Sequence, residues 1–327
     1  MTPPEPLNPV TSGGPLDVSV CIPVYNEKEA LRSSVLELKT AMDALPYSYE
    51  IIVVDDGSDD GCIEQILDLD VRILRHRKRF GGGVARVTAM RYARGRIILQ
   101  SDADGTYPCT EVPTILKAMD HAELVIGARR SESAQDWRLA RVFMKWVMKS
   151  IASVLVGRNI PDLNSGMRAY DRKLAMRYHH LYPKGHSIMS TMTLSFMTEG
   201  HRVEFVPIDY RRRLGKSSFH PVRDTYNYLV TTVRTVVNFD PLRVLLPVVG
   251  ILAALALVTT IRNLIVVQSL GSLPLALWLS SAFVLVLAIL SDQIARLTRQ
   301  VAGLTNRDIV GEDDVEEVAT AAQRPGT

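Results

Sequence analysis

Two long uncharged stretches near the carboxyl end constrain the fold of this chain more than any other feature. Residues 244–261 and 273–290 contain no charged side chain, and a helix of either length is roughly 27 Å long. That length matches the hydrocarbon core of a bilayer. We therefore predict a two-helix transmembrane hairpin over residues 241–295. The alternative is a helical hairpin buried in a soluble core.

Positive charges flank this hairpin mainly on one side. Arg243 precedes the first stretch and Arg296 and Arg299 follow the second, whereas the link between them carries Arg262. Because positively charged flanks stay on the cytoplasmic side of a membrane, we expect both termini and the large amino-terminal part of the chain to be cytoplasmic.

Composition bounds the rest of the 327-residue chain, which is long enough for one large domain besides the hairpin. A formal net charge of +3 argues against a nucleic-acid-binding protein. Its three cysteines, at positions 21, 62 and 109, lack the spacing of a disulfide framework or a zinc site and fit a reducing compartment. The proline-rich residues 1–16 show no signal-peptide pattern. We predict that they and the acidic tail, residues 300–327, are disordered.

Between these termini, short apolar runs alternate with segments of helical period. The predicted strands are residues 18–24, 50–54, 71–74, 96–99 and 123–127, and the predicted helices are residues 29–45, 82–93 and 111–120. This alternation predicts an α/β domain, a mostly parallel sheet with helices on both faces.

Acidic and polar clusters follow three of the predicted strands, at Tyr25-Asn26-Glu27, at residues 55–60 and at Asp102-Ala103-Asp104. Ligands of such sheets bind beyond the carboxyl ends of the strands. Asp102 and Asp104 share one face of extended backbone, so both can reach one cation. Mg²⁺ takes oxygen ligands of this kind and keeps places for water and phosphate oxygens. The alternative for the second cluster is a strand-ending turn, and for the third it is a solvated turn.

Taken together in their order and spacing, three motifs resemble family 2 glycosyltransferases. They are Ile22-Pro23-Val24-Tyr25-Asn26-Glu27, Val53-Val54-Asp55-Asp56-Gly57-Ser58 and Asp102-Ala103-Asp104. The resemblance implies a nucleotide-diphospho-sugar transferase fold (GT-A, Rossmann-like) over residues 17–220 and sugar transfer with inversion. It also implies that the donor nucleotide is held by Pro23, Tyr25, Glu27 and one of Asp55 and Asp56, and that Asp102 and Asp104 meet the ribose, the Mg²⁺ or Mn²⁺ ion and the diphosphate.

Two further segments combine a basic stripe with an apolar one. Residues 136–157 carry Arg138, Arg141, Lys145 and Lys149 at helical spacing, opposite aromatic and aliphatic residues. Such a helix suits the membrane interface, and the alternative is a surface helix packed on the sheet. Residues 221–240 repeat the apolar pattern and lead into the first uncharged stretch, as a juxtamembrane helix.

Other basic residues surround these helices, at Arg129, Arg130, Arg168 and in residues 210–218. They can attach the protein to anionic lipid, worth about 1 kcal/mol per residue, or hold a phosphate monoester with guanidinium groups. Charge alone leaves both roles open.

The same regions are similar to the polyprenol-phosphate branch of the family, that of dolichol-phosphate mannosyltransferase. The matching runs are residues 127–130, 137–141, 162–170 and 213–217. The resemblance implies that Arg129 and Arg141 meet the acceptor phosphate, and we add Lys145. It also implies a loop with Arg212, Arg213, Lys216 and Ser217 that closes over the donor, its two arginines being catalytic candidates. Thr106 and Lys145 depart from the branch pattern, which leaves the third metal ligand and the details of acceptor binding open.

We therefore expect a membrane enzyme that moves a sugar from a UDP- or GDP-sugar to polyprenyl phosphate. An anionic phosphate needs no general base, whereas a hydroxyl acceptor does. The main alternative is thus a transferase acting on a lipid or glycan hydroxyl, with Asp162 as base. A non-catalytic nucleotide-sugar-binding scaffold is a third possibility. The sugar, the nucleotide and self-association through the hairpins are left open.

Overall fold

The computed structural model describes residues 16–130, 156–183, 188–211, 241–267, 271–302 and 314–318, with the single positions 153, 230 and 237. The predicted interface helix (136–157) and juxtamembrane helix (221–240) thus lie almost wholly outside the described residues, as does the amino-terminal lead up to residue 15.

Strands and helices alternate through the first half of the chain, as predicted. The strands are β1 (Leu16–Val24), β2 (Tyr49–Asp55), β3 (Arg72–His76), β4 (Gly95–Gln100), β5 (Leu124–Arg129), β6 (Arg168–Asp171), β7 (Val203–Ile208) and β8 (Val315–Val318). The helices are α1 (Leu31–Asp43), α2 (Gly82–Tyr92), α3 (Val112–Ala118), α4 (Arg172–Arg177), α5 (Ile188–Thr198), α6 (Pro241–Arg262) and α7 (Ser272–Ala302).

The eight strands form one sheet in the order β7-β5-β6-β4-β1-β2-β3-β8. Four pairs are parallel, namely β1 with β2, β1 with β4, β2 with β3, and β5 with β7. β6 runs antiparallel to both β4 and β5, and β8 is antiparallel to β3. The predicted mostly parallel α/β sheet is confirmed.

Apolar side chains cover both faces of the sheet, because strands buried on two sides are apolar at successive positions. On one face, β1 and β2 pack against α1 and α3, with Leu38 and Ile115 in the core. On the other face, Ile52 and Ile98 pack against α2 and α5. With both faces covered, the open parts of the sheet are its strand ends.

The sequence did not reveal β6, β7 and β8. β6 has only four residues, and they include Arg168 and Asp171, so it lacks an apolar run. β8 lies in the acidic tail for which we predicted disorder, and for residues 315–318 that prediction was wrong. These residues pair with β3, and the Glu317 carboxylate lies 2.8 Å from Arg72 Nε. The two valines of β8, Val315 and Val318, pack against the core on opposite faces of the sheet. This burial stabilises a strand whose two central residues are charged.

The carboxyl-terminal helices α6 and α7 are long and apolar enough to cross a membrane. Their candidate spans, Pro241–Val266 and Ser272–Leu297, have mean hydropathies of 2.6 and 2.4. Only 6% and 17% of the most apolar windows are buried, unlike a helix in the core of a soluble protein. The small residues Ala256, Ser281 and Ala288 are among the few buried positions of the two helices, and Ser281 Oγ of α7 donates to the Val249 carbonyl of α6 at 3.2 Å. Helix α7 extends to Ala302, beyond the predicted end of the hairpin at residue 295.

The start of α6 joins the hairpin to the sheet domain. Val244 packs against a small apolar cluster that includes Val156, Ile160 and Leu163. Arg243 Nη1 donates a hydrogen bond to the Val156 carbonyl at 3.0 Å. These contacts place the start of α6 beside the cluster that contains Leu163, the neighbour in sequence of Asp162 in the site described below.

Candidate active site

The loops that follow β1 and β2 are tied to each other at the carboxyl edge of the sheet. Asn26 has a φ of 54°, a left-handed conformation that asparagine tolerates better than most residues. Its backbone N–H donates to Ser58 Oγ at 3.0 Å, and its side chain bonds Asp59 Oδ1 at 2.8 Å. The structure thus brings the Tyr25-Asn26-Glu27 turn next to the Asp55–Asp60 cluster. The Arg79 guanidinium lies over the Tyr25 ring at 4.0 Å.

Asp55 and Asp56 have different surroundings, although they are neighbours in sequence. Asp55 Oδ1 accepts the Ser58 N–H at 2.8 Å, and Oδ2 lies 3.0 Å from Arg75 Nε. No donor among the described residues is aligned to hydrogen-bond Oδ2, so the Arg75 contact is an ion pair only. Burial raises the pKa of Asp55 above its ordinary value.

Asp56 holds the turn that opens α2. Its carboxylate accepts backbone N–H groups from Phe80 at 2.9 Å and Gly81 at 2.8 Å. It also lies 2.9 Å from Nδ1 of His76, whose Nε2 is 3.0 Å from Thr88 Oγ1. The glycine turn that opens α2 is thereby fixed to the ends of β2 and β3.

Asp102 follows β4 and is partly exposed. Its Oδ1 lies 2.6 Å from Nη2 of Arg86, a largely buried arginine of α2. The carboxylate packs directly on Gly166, where any side chain would overlap it. A glycine is required there for Asp102 to keep this position.

Asp104 is buried, with 7% of its surface exposed. Its Oδ1 accepts the Thr106 hydroxyl at 2.6 Å and the Thr106 backbone N–H at 3.2 Å. The loop after Asp104 contacts Tyr210 through the Tyr107 ring, with ring centroids 5.3 Å apart. That Asp102 and Asp104 reach one cation stays a prediction.

The donor set suits a hard divalent cation. Asp102 and Asp104 offer carboxylate oxygens only, and the described residues contain no group of three His, Cys, Asp or Glu side chains able to hold a metal. Two protein ligands leave positions for water and for phosphate oxygens, which is the way Mg²⁺ is usually bound.

An arginine–carboxylate pair forms the opposite side of the site. Arg129, at the end of β5, donates from Nε to Asp162 Oδ2 at 2.7 Å and from Nη2 to Oδ1 at 3.0 Å. Burial raises the pKa of Asp162, but the hydrogen bonds and charge of Arg129 outweigh it, and the net pKa is lowered. The Arg129 guanidinium also lies 5.2 Å from the centre of the Tyr210 ring.

Comparison with known proteins identifies the family of this chain. The model of "Glycosyl transferase family 2" matches residues 19–178. An undecaprenyl-phosphate mannosyltransferase of Micrococcus luteus is 32% identical over 213 residues, covering 61% of this chain and 86% of that protein. The chain belongs to glycosyl transferase family 2. An undecaprenyl-phosphate 4-deoxy-4-formamido-L-arabinose transferase of Aeromonas hydrophila is also 32% identical, over 48% of this chain and 49% of that protein.

Solved structures show the same fold. Glucosyl-3-phosphoglycerate synthase of Mycobacterium tuberculosis, crystallised with Mn²⁺, UDP-glucose and phosphoglyceric acid, has a TM-score of 0.54. It is 17% identical and covers 68% of this chain and 80% of that one. The predicted GT-A architecture is thus confirmed, and the similarity at this identity concerns the fold alone.

Six predicted site residues of this glycosyltransferase lie outside the described residues: Arg141, Lys145, Arg212, Arg213, Lys216 and Ser217. The others are described: Pro23 and Asp55 lie at the ends of β1 and β2, Tyr25, Glu27 and Asp56 lie in the loops that follow them, Asp102 and Asp104 follow β4, and Arg129 at the end of β5 is paired with Asp162. Their individual roles remain predictions.

Arg168 was grouped with the basic residues around the two predicted membrane-proximal helices, which suggested a surface arginine. The structure shows otherwise. Arg168 is fully buried, and its guanidinium donates to the carbonyls of Ser165 and Met189. Burial lowers its pKa to about 10. Three residues near the site were not predicted from the sequence: Arg86, Tyr107 and Tyr210. Each is a single residue on a helix or after a strand and belongs to no recognisable motif. Gly166 was visible in the sequence only as part of the matching run 162–170.

Proposed function

We propose that this family 2 glycosyltransferase moves a sugar from a nucleotide-diphospho-sugar to a polyprenyl phosphate. The observation that supports it most is the Arg129–Asp162 pair, whose guanidinium lies 5.2 Å from the centre of the Tyr210 ring, while that ring also packs on Tyr107 in the loop after Asp104. A cation there suits an anionic acceptor. Both curated relatives are transferases named for undecaprenyl phosphate.

In the proposed reaction, an oxygen of the lipid phosphate attacks the anomeric carbon while the bond to the nucleoside diphosphate breaks. The acceptor oxygen is already anionic, so no proton has to be removed, and a single displacement inverts the anomeric centre. The main barrier to this reaction is the repulsion between the lipid phosphate and the donor diphosphate, two anions that meet in a partly buried site. Arg129 reduces this repulsion on the acceptor side.

Asp102 and Asp104 would hold Mg²⁺ or Mn²⁺ on the donor side. When bound, such an ion neutralises charge on the leaving diphosphate. The Thr106 hydroxyl orients Asp104, and Gly166 gives Asp102 the space that it needs. Tyr25, Asp55 and the turn held by Asp56 then form the nucleotide side of the crevice.

The hydroxyl-acceptor alternative requires Asp162 to act as a general base. Its two oxygens accept hydrogen bonds from Arg129, and its pKa is lowered. A carboxylate in this state is a weaker base than usual and is already engaged. The pair therefore favours the phosphate acceptor, and membership of the family favours an enzyme over a non-catalytic scaffold.

The membrane geometry agrees with a lipid acceptor. The start of α6 contacts Val156 and the apolar cluster that includes Leu163, and the next residue back along the chain is Asp162, the partner of Arg129. We propose that the sheet domain lies on the cytoplasmic side, where the charges flanking α6 and α7 would place it.

A matched acceptor pair tests the proposal. The purified full chain is incubated with a panel of UDP- and GDP-sugars, Mn²⁺ or Mg²⁺, and either undecaprenyl phosphate or the neutral alcohol undecaprenol. We expect an acid-labile glycosyl phospholipid from the phosphate alone. Both EDTA and the substitution Asp104→Asn are expected to abolish its formation. Transfer to undecaprenol but not to undecaprenyl phosphate would overturn the proposal.

A further inference from the structure

Tyr210 lies two residues after β7, where the two halves of the site meet. The Arg129 guanidinium is 5.2 Å from the centre of its ring. On another side, the ring meets the Tyr107 ring edge-to-face, with centroids 5.3 Å apart and an interplanar angle of 70°. Tyr210 is thus in contact with the arginine proposed for the acceptor and with the loop that follows Asp102 and Asp104.

Tyr107 connects Tyr210 to the first metal carboxylate. Its hydroxyl oxygen accepts the Gly166 backbone N–H at 2.7 Å. Gly166 in turn forms the surface on which the Asp102 carboxylate rests. A shift of the Tyr107 ring would therefore move Gly166 and the position available to Asp102.

Thr106 connects Tyr210 to the second carboxylate. The Thr106 hydroxyl is hydrogen-bonded to Asp104, and its side chain also interacts with that of Tyr210. The backbone N–H of Arg211 donates to the Thr106 carbonyl at 2.8 Å, which fixes the chain after Tyr210 to the same loop.

The Tyr210 ring and Asp162 contact the same guanidinium. Arg129 Nε and Nη2 donate to the Asp162 carboxylate, and the Arg129 guanidinium also lies 5.2 Å from the centre of the Tyr210 ring. An aromatic face attracts a guanidinium without adding a second negative charge. The ring can therefore help Asp162 to fix the position of Arg129.

We propose that Tyr210 is a positioning residue that couples the two substrates of the transferase. It orients Arg129 for the acceptor phosphate and, through Tyr107 and Thr106, it fixes Asp102 and Asp104 for the cation and the donor diphosphate. This inference rests on the proposed function. A positioning role differs from a purely structural one, because removal of the Tyr210 ring would then weaken the binding of both substrates.

Three substitutions test the coupling. Tyr210→Phe keeps the ring beside Arg129, so KM for undecaprenyl phosphate should stay within about twofold of the wild type. Tyr210→Leu removes the face on which Arg129 rests and should raise KM for undecaprenyl phosphate about tenfold. The leucine variant should also weaken Mn²⁺-dependent binding of UDP or GDP several-fold, measured by calorimetry without acceptor. Tyr107→Phe, which loses only the hydroxyl that holds Gly166, should affect nucleotide binding alone.

Tyr47→Leu is the matched control, because Tyr47 is likewise a partly buried tyrosine packed on the same core cluster. It precedes β2 and so lies at the opposite end of the strands from the site. It should lower the thermal midpoint without changing either substrate parameter. If Tyr210→Leu does not fold, Tyr107→Phe and Tyr210→Phe still decide the donor half of the inference.

The outcomes separate this inference from the proposed function. Wild-type protein that forms no product from undecaprenyl phosphate with any donor overturns the proposed function. Active wild-type protein, together with Tyr210→Leu of unchanged acceptor KM and nucleotide affinity, overturns the coupling alone. The coupling is also overturned if the Tyr47→Leu control shows the same rise in acceptor KM and the same loss of nucleotide affinity. Unchanged nucleotide affinity in Tyr107→Phe would overturn it as well.

Discussion

Asp162 is the residue on which the two candidate chemistries differ. Its bidentate contact with Arg129 makes it a partner that orients a cation. A general base would instead direct its carboxylate to a substrate hydroxyl. The two roles predict different kinetic consequences when the negative charge is removed.

Asp162→Asn is expected to raise KM for undecaprenyl phosphate about tenfold and to leave kcat within a few-fold of the wild type, because Arg129 loses its orienting charge but no base is lost. Removal of a true general base costs roughly 10²–10⁴ in rate. Steady-state kinetics with varied acceptor measure both parameters. Asp209→Asn, at the exposed pair with Arg130, is the control. A loss of kcat in the general-base range with unchanged KM would show that Asp162 is a base.

The same aspartate predicts a pH dependence of stability. Its pKa is lower in the folded protein than in the unfolded chain, where it is about 4. The pair therefore stabilises the fold at pH values above about 4, and this contribution disappears as the pH falls through the lower, folded pKa. We expect Asp162→Asn to lower the thermal midpoint at pH 7 and to have progressively less effect below pH 4. A difference that is independent of pH would contradict this sign.

Single residues could be located from the sequence where they follow an apolar strand. Asp56 lies directly after β2, and Asp102 and Asp104 lie just beyond β4, as the apolar runs before them predict. Tyr210 and Arg86 belong to no such motif. They reach the site from β7 and α2 through tertiary packing, which a single sequence does not encode in any local pattern.

Secondary-structure elements were predictable where apolar runs are long. The five predicted strands correspond to β1 through β5, with differences of one or two residues at their ends. β6 was missed because its first position is occupied by a buried arginine whose guanidinium donates to carbonyl groups. β8 was missed because two valines flank two glutamates, and its partner strand is far away in the sequence.

The acidic tail offers a prediction at this scale. β8 covers the edge of β3, whose Arg75 and His76 contact Asp55 and Asp56. A chain that ends at residue 313 loses this strand and leaves the edge of β3 unpaired. We expect its thermal midpoint to fall by about 2–8 °C and the amides of β3 to exchange faster with deuterium. A chain ending at residue 319 keeps the strand and is the control. Equal exchange in the two truncated proteins would contradict a role for β8.

The whole molecule combines a sheet domain with two apolar helices, and its topology can be tested directly. The three native cysteines are buried, so they give little background in a labelling experiment. In whole cells, a cysteine at Ser272, beside the link of the hairpin, should react with a membrane-impermeant maleimide. A cysteine at Thr327 should react only after the membrane is permeabilised. The reverse pattern would place the sheet domain outside the cytoplasm and contradict the proposed orientation.

At this scale the sequence indicated the order of parts correctly but not their contacts. Hydropathy alone located α6 and α7, because a bilayer-length apolar helix is a local property of the chain. The contact of Arg243 with the Val156 carbonyl, and the return of the tail to β3, join segments 87 and 245 residues apart. Such long-range contacts depend on the packed fold and were not visible in any motif.

The chemical structure of the lipid product tests the central claim most directly. With an active donor sugar and undecaprenyl phosphate, ³¹P and ¹H NMR of the purified product should show a phosphodiester joined to the anomeric carbon, with the configuration opposite to that of the donor. A product in which the lipid phosphate remains a monoester, or in which the donor configuration is retained, would contradict single displacement by an anionic acceptor.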